Sequence, residues 1–167
     1  FISNFTDFKF LILYILFFFI FNLLDKNYLG ECGNYILGFT IAIFVIKFFN
    51  ENNVFSPLYA VSILWYPAFE NLFSILRKIS IDKKNAFVAD TSHLHTLIFV
   101  YFKKRGYNKK SNSLTGLIIN IYMIPGFIFS NIFSSNSKIL FFIIVINLTV
   151  YMLIYFNLKK FNLSEKK

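Results

Sequence analysis

Five stretches of apolar residues divide this chain: 8–24, 35–49, 54–76, 114–133 and 139–158. The hydrocarbon core of a bilayer takes about 20 apolar residues per helix. Every backbone amide in that core must find its partner within the protein, so the spanning structures left are helices and closed barrels. An all-α, polytopic membrane helix bundle is the expected fold: about five transmembrane helices in a single membrane domain over residues 1–167. The chain is 57% hydrophobic and 15% charged, against about a quarter charged in a soluble domain. That balance excludes a disordered chain, a coiled coil and most soluble domains. Residues 8–24 are followed by Asp25-Lys26-Asn27-Tyr28 and not by a small-residue cleavage site, so they read as a span and not as a signal peptide. The chain opens on Phe1, and a segment ahead of it is expected.

Alternation of the five spans sorts the connections onto two sides. Loops 25–34 and 77–113 and the tail 159–167 share one side and carry fourteen of the seventeen Lys and Arg residues. Lys9, Lys47 and Lys138 are the rest. A net charge of +9 suggests nucleic acid at first. Charges gathered on one side of a membrane protein instead mark the cytosol. A multi-pass protein of the cell (inner, cytoplasmic) membrane is expected, with both long loops and the C-terminus cytosolic, the lipid bilayer as a partner and no nucleic acid. The opposite side keeps only Asn50 to Asn53 and Ser134 to Lys138, which leaves little room for a site there. Ser56-Pro57 reads as an N-cap with proline in the first turn. Pro125-Gly126 predicts a kink in the fourth span. Segment Leu94–Phe102 is too short to span and is expected at the interface or packed under the bundle.

Three clusters can carry chemistry. The first is Leu29-Gly30-Glu31-Cys32-Gly33-Asn34, an acid between two glycines ahead of a helix that starts near Tyr35. Free N–H groups and the dipole of a helix N-terminus favour an anion such as phosphate, and a carboxylate there can hold Mg²⁺ bridging to it. A tight turn with a solvated glutamate is the plain alternative. The second is Glu70, inside a span and seven residues before Arg77, hence on the same helix face. An ionisable group within a span marks a wet cavity or a functional site; a structural ion pair fits equally well. The third is Ala89-Asp90-Thr91-Ser92-His93-Leu94-His95-Thr96, holding both histidines of the chain. His-x-His brings two rings to one side in an extended stretch and turns them apart on a helix. Imidazole can hold phosphate or metal or carry a proton; surface histidines on a basic loop are the alternative.

Taken in order, these clusters resemble the polyprenyl-phosphate N-acetylhexosamine-1-phosphate transferases, over roughly residues 28–107. Leu29-Gly30-Glu31-Cys32-Gly33-Asn34 with Leu37-Gly38-Phe39 is similar to the family's Leu-Gly-Asp-x-Gly-Ser…Leu-Gly-Phe. Ser56-Pro57, Pro67-Ala68-Phe69-Glu70 and Arg77 resemble its Ser-Pro…Pro-x-x-Asp…Arg, and Ala89-Asp90 with His93-Leu94-His95-Thr96 its Pro-Asp-x-x-His-x-His-His. The resemblance implies transfer of a HexNAc-1-phosphate from a UDP-N-acetylhexosamine to undecaprenyl phosphate at the cytosolic face, with release of UMP, as a first step in cell-envelope polysaccharide synthesis. It implies Mg²⁺, or Mn²⁺ in its place, at Glu31. It also implies catalytic roles for Glu31, Asp90, His93 and His95, and substrate binding by Gly30, Gly33, Asn34, Glu70 and Arg77. Glu31 and Glu70 stand where the family has Asp, Thr96 stands for the last histidine, and the chain has no Asp-Asp pair. A C-terminal half of such an enzyme, inactive by itself, is the resulting expectation, with a homodimer among its assemblies. Two other classes answer to the same residues: a non-catalytic membrane scaffold, motivated by those departures, and a small-solute transporter, motivated by Glu70 and the proline in the fourth span.

Overall fold

The computed structural model describes residues 2–24, 26–27, 29–80, 92–108 and 110–164, and among these every regular element is a helix. They are α1 (Ile2–Leu23), α2 (Gly30–Glu51), α3 (Pro57–Ile63), α4 (Trp65–Ser80), α5 (Leu94–Lys104), α6 (Ser111–Ile132) and α7 (Ser137–Ser164). The protein is a membrane helix bundle: Cys32–Glu51, Ser111–Ile132 and Ser137–Asn162 are each long and apolar enough to cross a bilayer. The chain forms two compact units, residues 1–43 and 44–167.

In the first unit α1 ends near Leu24, where the Asn22 side chain donates to the Asn27 carbonyl across the turn, 3.0 Å. The sequence put the Glu31 cluster ahead of its helix; the structure starts α2 at Gly30, so residues 30–34 form its first turn. Gly30 sits at φ +67°, the left-handed region that glycine enters without a Cβ penalty, and that bend lets the helix begin five residues early. A Cβ on Gly33 would meet the Leu29 side chain at 2.8 Å, so glycine lets the preceding leucine lie across the new turn.

The second unit holds the packed core, and its polar contacts show how the helices are joined. The expected third span is two helices, α3 and α4, parted at Leu64. Pro67 is the reason. It has no N–H for the Ile63 carbonyl, and its ring excludes a continuous ladder there, while in the first turn of a new helix it is tolerated. Ser56 caps α3 as expected, accepting from Leu58 N–H at 3.2 Å, and its hydroxyl also meets Ser137 at 2.8 Å. Further along the same seam Tyr59 donates to Asn131 at 2.6 Å, and the Ser62 and Ser130 hydroxyls bond to each other, both fully buried. Hydroxyl pairs and small residues hold helices together where lipid tails compete for every apolar contact. Gly126 belongs to this logic: a Cβ there would lie 2.7 Å from the Asn147 amide nitrogen, so its absence lets α6 and α7 close up. Helix α6 runs on through Pro125 to Ile132.

At the other end of the unit, α5 packs against α6 and α7 and supplies Leu94, Leu97 and Ile98 to a core shared with Trp65, Phe73, Tyr151 and Tyr155. The short segment thus packs with the bundle, one of the two placements its length allowed. Aromatic rings dominate this core in edge-to-face pairs, such as Phe69 on Tyr151 at 5.0 Å and Phe73 on Tyr155 at 4.9 Å, a geometry their quadrupoles favour.

Candidate functional site

A polar junction of α4, α5 and α7 lies inside that aromatic core. Helix α4 buries Trp65 in its first turn and then a stripe of Glu70, Phe73, Ser74, Arg77 and Lys78, spaced three and four apart so that these five share one face. Glu70 is 7% exposed. Its Oε1 accepts the Leu94 backbone N–H at 2.7 Å and faces His93 Nδ1 at 3.1 Å. Its Oε2 accepts the Tyr151 hydroxyl at 2.9 Å. Leu94 is the first residue of α5, and its N–H is one of the donors a helix start leaves without an internal partner. No side chain of α5's own N-cap residue, His93, takes it. Glu70 therefore caps a helix it does not belong to. The negative charge sits at the positive end of the dipole, an added stabilisation.

His93 is in extended backbone (φ −67°, ψ 153°) and His95 is in the first helical turn. Their rings stack with centroids 5.3 Å apart and planes 13° from parallel. The junction between an extended residue and a helix start brings the two rings to one side, where a continuous helix would part them. A carboxylate can only accept, so at 3.1 Å from Glu70 the His93 Nδ1 carries the hydrogen. His93 is half-buried and His95 exposed, so the pair meets solvent from the edge of the core.

Arg77 and Lys78, in the last turn of α4, are 3% and 8% exposed. Neither is left without a partner, and two cations in the final turn match the negative end of the helix dipole. Arg77 does share the Glu70 face, as the spacing of seven predicted. Asp90 lies outside the described residues, and so does the Glu31 side chain, although its backbone is the first turn of α2. Gly30, Gly33 and Asn34 sit with it in that turn, in the first unit. Among the described residues no group of three His, Cys, Asp or Glu could hold a metal ion.

Sequence reasoning missed Tyr151, the hydroxyl that completes the Glu70 shell. A trace of it is legible: Tyr151 and Tyr155 are four apart in an otherwise aliphatic stretch, so they share a helix face. Both are fully buried, with rings 6.2 Å apart and 10° from parallel.

Fold and site together define a membrane helix bundle with a stacked histidine pair, one ring half-buried and one exposed, at the edge of a basic end. The chain is similar to a probable undecaprenyl-phosphate N-acetylglucosaminyl 1-phosphate transferase of Bacillus subtilis (strain 168), 30% identical over 106 residues. The match takes in 63% of this chain and 26% of that protein, so the chain spans about a quarter of the length of the curated relative it matches. This similarity supports the resemblance read from the motifs. No family model matches the chain, and no solved structure matches it.

Proposed function

We propose that the chain forms part of an enzyme that transfers a HexNAc-1-phosphate from a UDP-N-acetylhexosamine to undecaprenyl phosphate at the cytosolic face of the cell membrane. The observation that carries the reading is the His93–His95 pair, stacked at 5.3 Å and anchored through Glu70 at the start of α5. In this reaction an oxygen of the lipid phosphate bonds to the sugar-bearing phosphorus as the bond to the bridging oxygen breaks, and UMP leaves. Charge builds on phosphoryl oxygens, and positioning with charge neutralisation does most of the catalysis. His93 and His95 hold or protonate those oxygens, with Asp90 on the same loop. Glu31, with the backbone N–H groups around Gly30, Gly33 and Asn34, receives phosphate at the start of α2. A carboxylate oxygen is the right donor for Mg²⁺ or Mn²⁺, and Glu31 would hold the ion, the remaining ligands coming from the diphosphate and from the rest of the enzyme. The ion supplies Lewis-acid charge neutralisation when bound.

Glu70 and Arg77 serve as positioning residues in this reading. The Glu70 carboxylate is fully engaged by Leu94, His93 and Tyr151, which speaks against its carrying a solute through the membrane. The test uses membranes carrying the complete protein and labelled UDP-HexNAc, counting label in butanol-extractable lipid. Glu31→Ala and His93→Ala should each lower incorporation about a hundredfold, the range for loss of a single stabilising group. Unchanged incorporation in both variants would overturn the site. Failure of the purified full-length protein to bind the UDP-sugar in calorimetry with Mg²⁺ would instead favour the scaffold.

A further inference from the structure

Among the described residues at the basic end of the second unit, the Arg105 side chain is held in place and yet makes no hydrogen bond. Helix α5 stops at Arg105 in a Schellman motif: Gly106, at φ +89°, donates to Lys103 at 3.2 Å and Tyr107 donates to Phe102 at 3.1 Å. The Phe102 and Tyr107 rings meet at 5.9 Å, the apolar contact that accompanies such a stop. This fixes the backbone from which Arg105 departs. Its guanidinium then lies 5.5 Å from the Tyr101 ring and 5.5 Å from the Phe161 ring, the two rings themselves 5.0 Å apart. Cation–π contact holds the guanidinium without spending its N–H donors in hydrogen bonds. Among the described residues no hydrogen bond to the Arg105 side chain is formed, and the residue is exposed.

Depth in the membrane follows from the neighbours. Phe161 is one residue from the end of the apolar run Ser137–Asn162, and Arg105 is six residues before Ser111, where another begins. Lys104 ties the two together by donating to the Asn162 carbonyl at 2.9 Å. Phe161 at the end of one such run and Tyr101 packed on it stand at headgroup level, where tyrosine rings gather. The described carboxylate of this end, Glu70, is buried and engaged.

We infer that Arg105, held against the Tyr101 and Phe161 rings and flanked by Lys104, is a binding site for the phosphate of an anionic phospholipid headgroup. Guanidinium presents two parallel N–H donors to two phosphate oxygens, and pre-stacking removes the freedom that a solvated arginine would lose on binding. The surface is independent of the transferase reading, since none of its residues belongs to the Glu70–His93 junction.

Spin-labelled phosphatidylglycerol and phosphatidylcholine in bilayers holding the full chain test this through the fraction of each lipid immobilised by the protein. The wild type should select phosphatidylglycerol. Arg105→Gln should lower that selectivity about fivefold, the effect of one cation near a membrane surface. Arg105→Lys should recover part of it, and Lys138→Gln, at the opposite end, should leave it unchanged. Equal selectivity in wild type and Arg105→Gln, with helicity preserved in circular dichroism, would overturn the site. So would its loss to inorganic phosphate at constant ionic strength, which would assign the guanidinium to a soluble ligand.

Discussion

Helices α2 and α4 are close neighbours in sequence and opposite in construction. In α2, from Cys32 to Glu51, no side chain is buried, and Ile36, Phe39 and Ile46 stand more than half exposed. In α4 the buried face carries a carboxylate and two cations beside Trp65 and Phe73. A helix that is apolar on all sides finds lipid as good a solvent as protein, so it needs no packed partner. A helix bearing Glu70, Arg77 and Lys78 must bring them against protein, because an ionised group left in hydrocarbon is expensive. The polar residues of the bundle therefore dictate where it packs, and the apolar ones follow.

The largest effect that could break this contrast is expected at Glu70. Replacement by alanine strands the Leu94 N–H and the Tyr151 hydroxyl without an acceptor, and stability should fall by about 3 kcal/mol. Reversible unfolding in mixed micelles, followed by the fluorescence of the single Trp65, measures it; a loss under 1 kcal/mol would mean that the junction does not hold α5. Phe73→Ala should come next, at about 2 kcal/mol. It empties a site that touches Phe69, Tyr151 and Tyr155, and in a bilayer the loss is mainly of packing. The smallest effect is expected for Phe39→Ala on α2, within about 0.5 kcal/mol by the same assay, as for other surface changes. A Phe39 effect equal to that of Phe73 would mean that α2 also has a packed protein face in the intact protein, and the contrast would fail.

Much of this was legible in the residues. The spans near 35–49, 114–133 and 139–158 appear as α2, α6 and α7, because long apolar runs have one backbone solution in a bilayer. The Ser56 cap and the short, non-spanning α5 were readable for similarly local reasons. Local reading failed where a single residue had two outcomes. Pro67 could kink a span or end it, and it ends α3 at Leu64. Gly30 could close a turn or open a helix, and at φ +67° it opens one. At the site, Glu70 and Arg77 were placed on one face by spacing alone. Neither the spacing nor the composition linked Glu70 to Leu94 and Tyr151, which lie 24 and 81 residues away.

The sequence by itself determined the class of molecule and its helical segments, since hydropathy over about 20 residues is a local property that the bilayer reads directly. It also nominated the histidine pair and the buried acid. Only the tertiary structure decided what those groups do to each other. Glu70 caps a foreign helix and sets which His93 nitrogen carries the hydrogen, His93 and His95 stack because an extended residue meets a helix start, and Arg105 is held against a ring from α7. The Glu70 and Arg105 contacts join residues from different helices, and their geometry is set by how the helices pack.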